Sequence, residues 1–481
     1  MKRARYSLWA AVLLGAMAGR AAAVLSDSDP RAMGMAQAYT ALARGPEAVF
    51  WNPANLALSG SRAFSWCVLG GGVSAVVQNN SFSVKAYNDH FTAQNKRVSP
   101  RGSRFYISPG DRSELLSDVP DKGLQLNSDV EPMLALVLPV NNGIAFRLPH
   151  GLRSAVALGL TTGVEGVVPR DLVELFLFGS RFADERQAAG QPEGYDITEW
   201  DGSAWALASV NWAVAWPWMP QALAPHLSEF TVGTTLKVMG GAYAEVLDSG
   251  GEGLISRVSG ATVDAWAVSQ SAGGMGLGLD FGVAGKTLDG RTTLSLGLLN
   301  LVDHLSWSMG ARQDSVFVTA RDLRVIDVMD PDKQNVEDVL DNEDVDGDGH
   351  VDFSKQIGSD SFSRSLPAVL RLGASRDVQP LLTVSVGYDQ AFTSGFGMST
   401  TPRLATGLEY RLVRWFPVRC GLSAGGGRGR SSAVGFAVGP FRLGRSELRF
   451  LDTALVSRGG FLPGLSKGTA VSTTLFRLDL H

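Results

Sequence analysis

Histidines, cysteines and the usual catalytic motifs are scarce in this chain. Its 481 residues include six histidines and two cysteines, and no two histidines have the His-Glu-x-x-His spacing of a zinc protease. The chain also lacks a phosphate-binding loop and a Gly-x-Ser-x-Gly elbow with a matching acid and base. The sequence therefore predicts that the protein is not an enzyme, although a catalytic site assembled only in space stays open.

Long apolar runs and excess positive charge are missing too. Beyond the N-terminus, no stretch reaches about eighteen uncharged apolar residues, which excludes helical membrane spans. A closed β-barrel is the other structure that can cross a bilayer. The net charge is −4 and the pI is about 5.9, whereas a nucleic-acid-binding protein would need a basic face. We therefore expect no nucleic-acid partner.

The N-terminus has the pattern of a secretory signal peptide. Lys2 and Arg3 precede an apolar stretch, residues 8–17, and the small-residue run 21–23 follows. The apolar stretch is too short for a membrane anchor. We predict that residues 1–23 are a signal peptide and that the chain is exported.

The two cysteines can form a disulfide in an exported protein. By strand alternation, Cys67 shares a face with Ser65, whereas Cys420 shares one with Val418 and Leu422. The two thiols then point to opposite sides, which favours free cysteines, although a bulge would change the count.

Glycine is abundant, with 56 residues, and short alternating segments are separated by turn-like clusters. Apolar residues alternate with polar or small ones in 230–240, 275–283 and 382–389. This pattern is typical of a β-sandwich or a β-barrel, and alternation alone does not choose between them. Trp212 and Trp216 share an apolar face beside a tight turn, as in an interfacial girdle; the alternative is that they are core residues.

A barrel would turn a set of charged side chains toward its lumen, by the same alternation. These lumen candidates are Lys237, Asp280, Arg371, Asp389, Arg403, Glu409 and Arg411. They line a permeation route in one interpretation. In the other, they satisfy one another and a plug as a structural network.

A motif near the N-terminus resembles that of a known family. The segment Phe50-Trp51-Asn52-Pro53-Ala54 follows an Ala-Met-Gly start at residues 32–34. Together they resemble the first element of the FadL-like outer-membrane barrels, and later blocks resemble uncharacterised relatives of that group and PorV-type barrels. The resemblance implies an all-β fold: a transmembrane antiparallel β-barrel of about 14 strands with an N-terminal hatch.

The resemblance also implies a division of the chain. Residues 24–61 would form the hatch, or plug, and residues 62–481 the barrel, with long loops near 92–131, 180–201 and 320–363. Independently of the resemblance, Asn52-Pro53 favours a turn. Whether the motif gates the lumen or is only a structural turn stays open at this point.

The function implied by the resemblance is passive uptake of small, hydrophobic solutes across the bacterial outer membrane. The alternative is a PorV-like barrel that binds or shuttles an exported protein. The expected partners are outer-membrane lipid, the barrel-assembly machinery, and the solute or exported protein. The last strand alternates as the assembly machinery requires, with Phe476, Leu478 and Leu480 on one face, but it ends in His481 rather than an aromatic residue.

An acidic segment resembles a calcium-binding loop in its spacing. Asp344, Asp346, Asp348 and Asp352 fall at loop positions 1, 3, 5 and 9, a glycine falls at position 6, and the carbonyl of His350 falls at position 7. Position 12 is a lysine rather than the usual bidentate glutamate. The sequence predicts a structural Ca²⁺ in an extracellular loop, with a solvated acidic loop as the alternative; no other cofactor is expected.

A short helix is predicted from Pro109 onward, with Ser108 as its N-cap, in the long stretch after the first strand. Pro109 is favoured at the first helical position because it lacks an amide hydrogen. We place this helix in a loop or on the rim of the barrel.

Overall fold

The computed structural model describes residues 29–91, 109–135, 139–140, 142–323, 340–345, 347, 349–427 and 429–480. The predicted signal peptide, the first residues of the predicted hatch, Ser108, Asp346 and Asp348 lie outside these residues. No helix in the described part of the chain is long and apolar enough to cross a bilayer.

The described residues form six short α-helices and eighteen β-strands. The helices are α1 (Pro30–Gly34), α2 (Ala48–Trp51), α3 (Val84–Phe91), α4 (Pro109–Ser117), α5 (Arg170–Phe178) and α6 (Ala183–Ala188). The strands are β1 (Phe64–Asn79), β2 (Leu124–Ala135), β3 (Pro139–Val140), β4 (Asn142–Arg147), β5 (Arg153–Val168), β6 (Asp201–Pro217), β7 (Leu227–Arg257), β8 (Gly260–Thr287), β9 (Thr292–Leu323), β10 (Ser354–Gly358), β11 (Phe362–Ser363), β12 (Val369–Gln379), β13 (Leu382–Ala391), β14 (Arg403–Val413), β15 (Phe416–Gly425), β16 (Ser431–Leu443), β17 (Ser446–Arg458) and β18 (Gly468–Leu480).

All eighteen strands belong to one sheet, and fourteen of them form a closed ring. Each ring strand pairs antiparallel with its neighbours in chain order, and β1 closes the ring by pairing with β18, from Trp66↔Leu480 to Gln78↔Gly468. β2 and β4 share one position in the ring, because both pair with β1 and with β5. The expected antiparallel barrel of about 14 strands is confirmed.

The two ends of the barrel differ in their connections. At one end, turns such as 288–291 and 444–445 join the strands, whereas the other end carries the helices α3 to α6 and the connection from β9 to β10. Outer-membrane barrels have short periplasmic turns and long extracellular loops, so we orient the chain accordingly. β7, β8 and β9 have 31, 28 and 32 residues, well beyond the roughly ten that a tilted strand needs to cross the bilayer.

The two faces of the ring show that this is a membrane barrel and not a sandwich. In β7, Leu236 and Val238 point outward and are 43% and 44% exposed, while Lys237 between them points inward and is 3% exposed. An apolar exterior around a polar interior is stable only against lipid. Trp212 and Trp216 lie outside the barrel near its periplasmic end, 52% and 57% exposed, so the alternative that they are core residues is wrong.

Several local predictions need comment. Cys67 is buried and Cys420 is exposed, and both are free, as their alternation indicates. The predicted helix is present as α4, and its predicted N-cap, Ser108, lies outside the described residues. The loop predicted near 92–131 ends earlier, because β2 begins at Leu124 and pairs with β1 and β5. The alternation is weak there, so backbone pairing rather than an apolar face defines the strand.

Two other predicted loops contain regular structure. α6 lies within 180–201, and in 320–363 the short strands β10 and β11 pair with β9, which itself continues to Leu323. These elements lie beyond the membrane-crossing part of the wall, where no lipid-facing stripe marks a strand in the sequence.

Candidate functional site

The N-terminal segment, residues 29–61, lies inside the barrel. It begins with α1, whose N-cap Asp29 accepts hydrogen bonds from the backbone amides of Arg31 at 2.7 Å and Ala32 at 3.4 Å, while Pro30 occupies the first helical position. Most side chains from Ala32 to Leu58 are buried. The segment therefore fills the cross-section of the lumen that it occupies.

The predicted hatch motif is buried throughout. Asn52 is fully buried, and its amide nitrogen donates to the Val283 and Leu296 carbonyls, both at 3.0 Å, and to the Ser295 hydroxyl at 2.6 Å. Its side-chain oxygen accepts from the Ala54 amide at 3.0 Å. Asn52 thus caps the turn that begins at Pro53 and joins that turn to β8 and β9.

Inward-facing glycines on several strands allow the N-terminal segment to pack closely against the barrel wall. A side-chain carbon at Gly233 would lie 2.5 Å from the Ala54 nitrogen, and one at Gly373 would lie 2.8 Å from the Ala41 nitrogen. The segment also comes within 3.3 Å of a side-chain carbon placed at Gly282, Gly297, Gly387, Gly407, Gly421 or Gly435, in the case of Gly282 through the Asn52 side chain. Because only glycine leaves room for a second backbone at these distances, these residues form a seat for the segment.

Arg371 holds the motif from the side of β12. Its guanidinium carbon lies 4.5 Å from the centroid of the Trp51 ring, and Nη1 donates to the Phe50 carbonyl at 3.2 Å. Nε lies 3.6 Å from Oδ1 of Asp389, and Oδ2 of the same carboxylate accepts from Arg403 Nε at 3.0 Å. The cation therefore contacts the motif and a carboxylate of the wall at once.

A second charged cluster binds the start of the segment. Arg31 donates to both carboxylate oxygens of Glu409, at 2.7 and 3.0 Å. Arg419 donates to the same carboxylate at 3.0 Å and pairs with Asp452 at 2.5 Å. Sequence reasoning missed Arg419 and Asp452, although the alternation that turns Cys420 outward also turns Arg419 inward.

Asp29 and Glu47 face this cluster, and their pKa values are shifted in opposite directions. Burial, with Glu47 and Asp452 nearby, raises the pKa of Asp29 to about 6. Burial acts in the same direction on Glu47, but Arg477 and Arg449 outweigh it and hold the pKa of Glu47 below its ordinary value. Glu47 accepts from Tyr39 at 2.8 Å and from Arg477 at 2.9 Å.

Of the lumen candidates, Lys237 and Asp280 pair at 2.8 Å, and both contact Asn300 at 2.7 Å. Arg411 lies near the periplasmic rim, where its side chain is 46% exposed and pairs with Glu409 at 3.3 Å. The others, described above, are buried in ion pairs with one another or with the N-terminal segment. Ion pairs of this kind are what the structural-network interpretation expects, and a permeation route along these residues stays a prediction.

On the extracellular side of the segment, the lumen contains a group of aromatic side chains, here called the aromatic cluster: Trp205, Tyr243, Trp307, Phe362 and Phe396. The Tyr243 ring centroid lies 5.3 Å from that of Trp307 and 5.0 Å from that of Phe396. Leu207, Met239, Leu305 and Leu366 pack around these rings. Sequence reasoning missed the cluster, although the alternation that turns Trp212 outward also turns Trp205 inward.

A cavity of about 50 Å³ lies between the segment and the extracellular loops. Gln37, Met398 and Arg403 are among the residues that line it. Its walls combine polar and charged side chains with apolar ones, among them Val369 and Ala391.

The predicted calcium loop is described only in part, since Asp346 and Asp348 lie outside the described residues. Asp344 accepts from the amides of Gly347 at 2.7 Å and Gly349 at 2.9 Å, and Asp352 accepts from the Val345 amide at 2.9 Å. His350 is exposed near them. These bonds order the loop around its carboxylates, and calcium binding stays a prediction.

Comparison with known proteins agrees with this architecture. A family model described as "Family of unknown function (DUF5723)" matches residues 245–444. No curated protein matches the chain. Among solved structures, a FadL homologue of Pseudomonas aeruginosa is similar over 96% of this chain and 98% of its own, with a TM-score of 0.50 and 11% identity.

Two further solved structures are similar at lower scores. The toluene transporter TodX of P. putida has a TM-score of 0.47 and 11% identity over 95% of this chain and 98% of its own. The CymD monoaromatic hydrocarbon channel has a TM-score of 0.46 and 11% identity over 95% and 97%. The fold is that of a FadL-like outer-membrane β-barrel.

Proposed function

We propose that this barrel carries small, hydrophobic solutes passively across the bacterial outer membrane, and that the N-terminal segment is the hatch that controls their passage. The observation that carries the proposal is the aromatic cluster, which lies inside the lumen and directly on the extracellular side of the segment. Aromatic and aliphatic walls favour apolar solutes, whereas a polar channel would select ions or sugars.

The chemistry of the cluster supports a solute with a flat, apolar shape. Trp307 is fully buried, and its ring stacks on those of Phe362 and Phe396 at 6.3 and 6.5 Å between centroids. An aromatic solute can replace one ring in such a stack without leaving a polar group unsatisfied. At the edge of the cluster, Tyr243 donates to Glu245 at 2.9 Å, and Arg364 pairs with the same carboxylate.

Passage requires the segment to move, because it is packed directly against the wall. Trp51 and Asn52 are only 1% and 0% exposed. The glycine seat also brings the backbone of the segment into contact with strands around the ring. Breaking the Arg371 and Glu409 contacts would free the two ends of the segment separately. In this proposal, the contacts of Arg371 and Glu409 with the segment hold the hatch closed. We call these contacts the latch.

Uptake into liposomes tests the proposal. Purified protein is reconstituted, and entry of toluene is compared with entry of a sugar of similar size. Wild type should admit toluene in preference, and Trp307→Ala should change the toluene rate severalfold. Trp212→Ala is the matched control, since it removes a tryptophan from the lipid-facing girdle instead, and should leave selectivity unchanged. Absence of toluene uptake, with an exported protein co-purifying stably, would overturn transport in favour of the protein-binding alternative.

A further inference from the structure

Two helices at the extracellular end bring together a histidine and two carboxylates that the transport proposal does not use. His90 lies in the last turn of α3, and Asp111 and Glu114 lie in α4. One ligand atom of each residue lies within 4.8 Å of the others. We propose that His90, Asp111 and Glu114 bind a divalent transition-metal ion, with Zn²⁺ as the expected occupant.

The buried imidazole is the observation that points to a ligand. His90 is 9% exposed, and its buried Nδ1 has no hydrogen-bond partner among the described residues. The facing Asp111 oxygen is 3.8 Å away, beyond hydrogen-bonding distance. A buried nitrogen left unsatisfied is unfavourable, because it has lost its hydrogen bonds to water. A metal ion between Nδ1 and the carboxylates would satisfy it.

The spacing suits a small ion with nitrogen and oxygen ligands. Asp111 and Glu114 are three residues apart on one helix and share a face. Zinc bonds of about 2.1 Å in tetrahedral geometry place ligand atoms roughly 3.4 Å apart, close to the observed 3.8 Å between His90 and Asp111. Glu114 is exposed and free to rotate inward. An imidazole ligand favours zinc over calcium, which prefers oxygen alone.

A metal ion here would join two separately anchored parts of the extracellular end. The Val84 amide of α3 donates to the Ser466 carbonyl at 2.8 Å, which ties α3 to the loop before β18. α4 instead packs on α5 through Leu115, Val173 and Leu177. The ion would therefore join two helices of the β1–β2 connection, one anchored to the loop between β17 and β18 and the other to the loop between β5 and β6.

Cobalt titration of the purified, untagged, metal-stripped barrel tests the site, because Co²⁺ substitutes for Zn²⁺ and absorbs visible light when bound in low coordination. We expect one equivalent of Co²⁺ to produce visible bands that Zn²⁺ abolishes. His90→Ala and Glu114→Gln should each lose the bands; Glu114 is exposed, so its variant should still fold.

Two matched controls complete the cobalt experiment. His150→Ala removes an exposed histidine at the periplasmic end, and Glu185→Gln removes an exposed glutamate of α6; both variants should keep the bands. Wild type without bands, or His90→Ala and Glu114→Gln with bands of wild-type intensity, would overturn the site.

Discussion

The Arg371 guanidinium lies over the Trp51 ring in the lumen, with its central carbon 4.5 Å from the ring centroid. The pair joins strand β12 to the N-terminal segment across 320 positions of sequence. Both residues are almost completely buried, so the contact is shielded from solvent and from salt. It is therefore one of the strongest candidates for the latch of the proposed hatch.

Replacing Arg371 should loosen the segment. Arg371→Gln removes the cation from Trp51 and from Asp389, and breaking a buried pair in this way destabilises by about 3–5 kcal/mol. Hydrogen exchange of residues 29–61 should become faster by orders of magnitude. Arg376→Gln is the control on the same strand, because the Arg376 side chain is 54% exposed. Equal exchange in both variants would contradict the latch.

The glycine seat makes a steric prediction. Gly233→Ala places a methyl carbon only 2.5 Å from the Ala54 nitrogen, and overpacking of this kind destabilises by about 1–3 kcal/mol. The segment should exchange faster while the barrel itself stays folded. At Gly71, where the nearest atom to an added carbon is a ring carbon of Phe476 at 4.0 Å, the same substitution should have no effect. If the hydrogen exchange of residues 29–61 is unchanged in Gly233→Ala, close packing against this glycine does not stabilise the segment.

Alternation was a reliable guide to which side of the wall a residue faces, because lipid and lumen differ so strongly in polarity. It placed Lys237 inside and Leu236 outside, as the structure has them. It did not show which charges pair. The contact between Arg31 and Glu409 depends on closure of the ring and on the path of the segment inside it, and neither is encoded in local periodicity.

The aromatic cluster shows a second limit. Alternation correctly turns Trp205 inward. Its contact with Phe396 depends on how far β6 extends and on the position of Phe396, which lies in a loop without a periodic pattern. Similarly, β2 begins earlier than predicted because main-chain pairing with β5 extends beyond the membrane. Strands outside the lipid have no lipid-facing apolar stripe, and the sequence pattern therefore predicts them poorly.

The lipid-facing surface can be tested by adding charge. Leu236→Arg puts a guanidinium on the outer face of β7, where an arginine near the bilayer midplane is unfavourable by about 2–4 kcal/mol. Folding of the purified chain into lipid vesicles, followed by urea titration, should show this loss. Leu288→Arg changes a residue in a periplasmic turn that is 62% exposed, and should lower stability by far less. A similar loss in both variants would contradict the orientation of the barrel in the membrane.

Calcium should protect the acidic loop if the loop binds it. Limited proteolysis of residues 327–360 should slow on addition of Ca²⁺ but not of Mg²⁺, which demands a stricter octahedral geometry. Asp344→Asn should abolish the protection, since it removes a charged ligand while its remaining side-chain oxygen can still accept from the Gly347 or the Gly349 amide. Asp360→Asn, outside the predicted ligand set, is the control. Cleavage that is indifferent to Ca²⁺ in wild type would favour a solvated acidic loop.

Hatch opening should depend on pH through Asp29. Its pKa in the seated segment is raised to about 6 from an ordinary value of 3.8, so the seated state gains stability as the carboxyl takes up a proton. That gain is fully present below the ordinary pKa and is lost as the pH rises through about 6. Between pH 7.5 and pH 5 the seated state should gain about 1.4 kcal/mol, a tenfold change. Glu47 titrates below this window, because its pKa is lowered.

Single-channel recording in planar bilayers measures the effect directly. Wild type should open about ten times less often at pH 5 than at pH 7.5. Asp29→Asn is neutral at every pH and can still cap α1, so it should open rarely at both values and respond little to pH. A variant that keeps the full response of wild type would assign the pH dependence to another group. Wild-type openings that are equally frequent at both values would show that Asp29 does not control the seating of the segment.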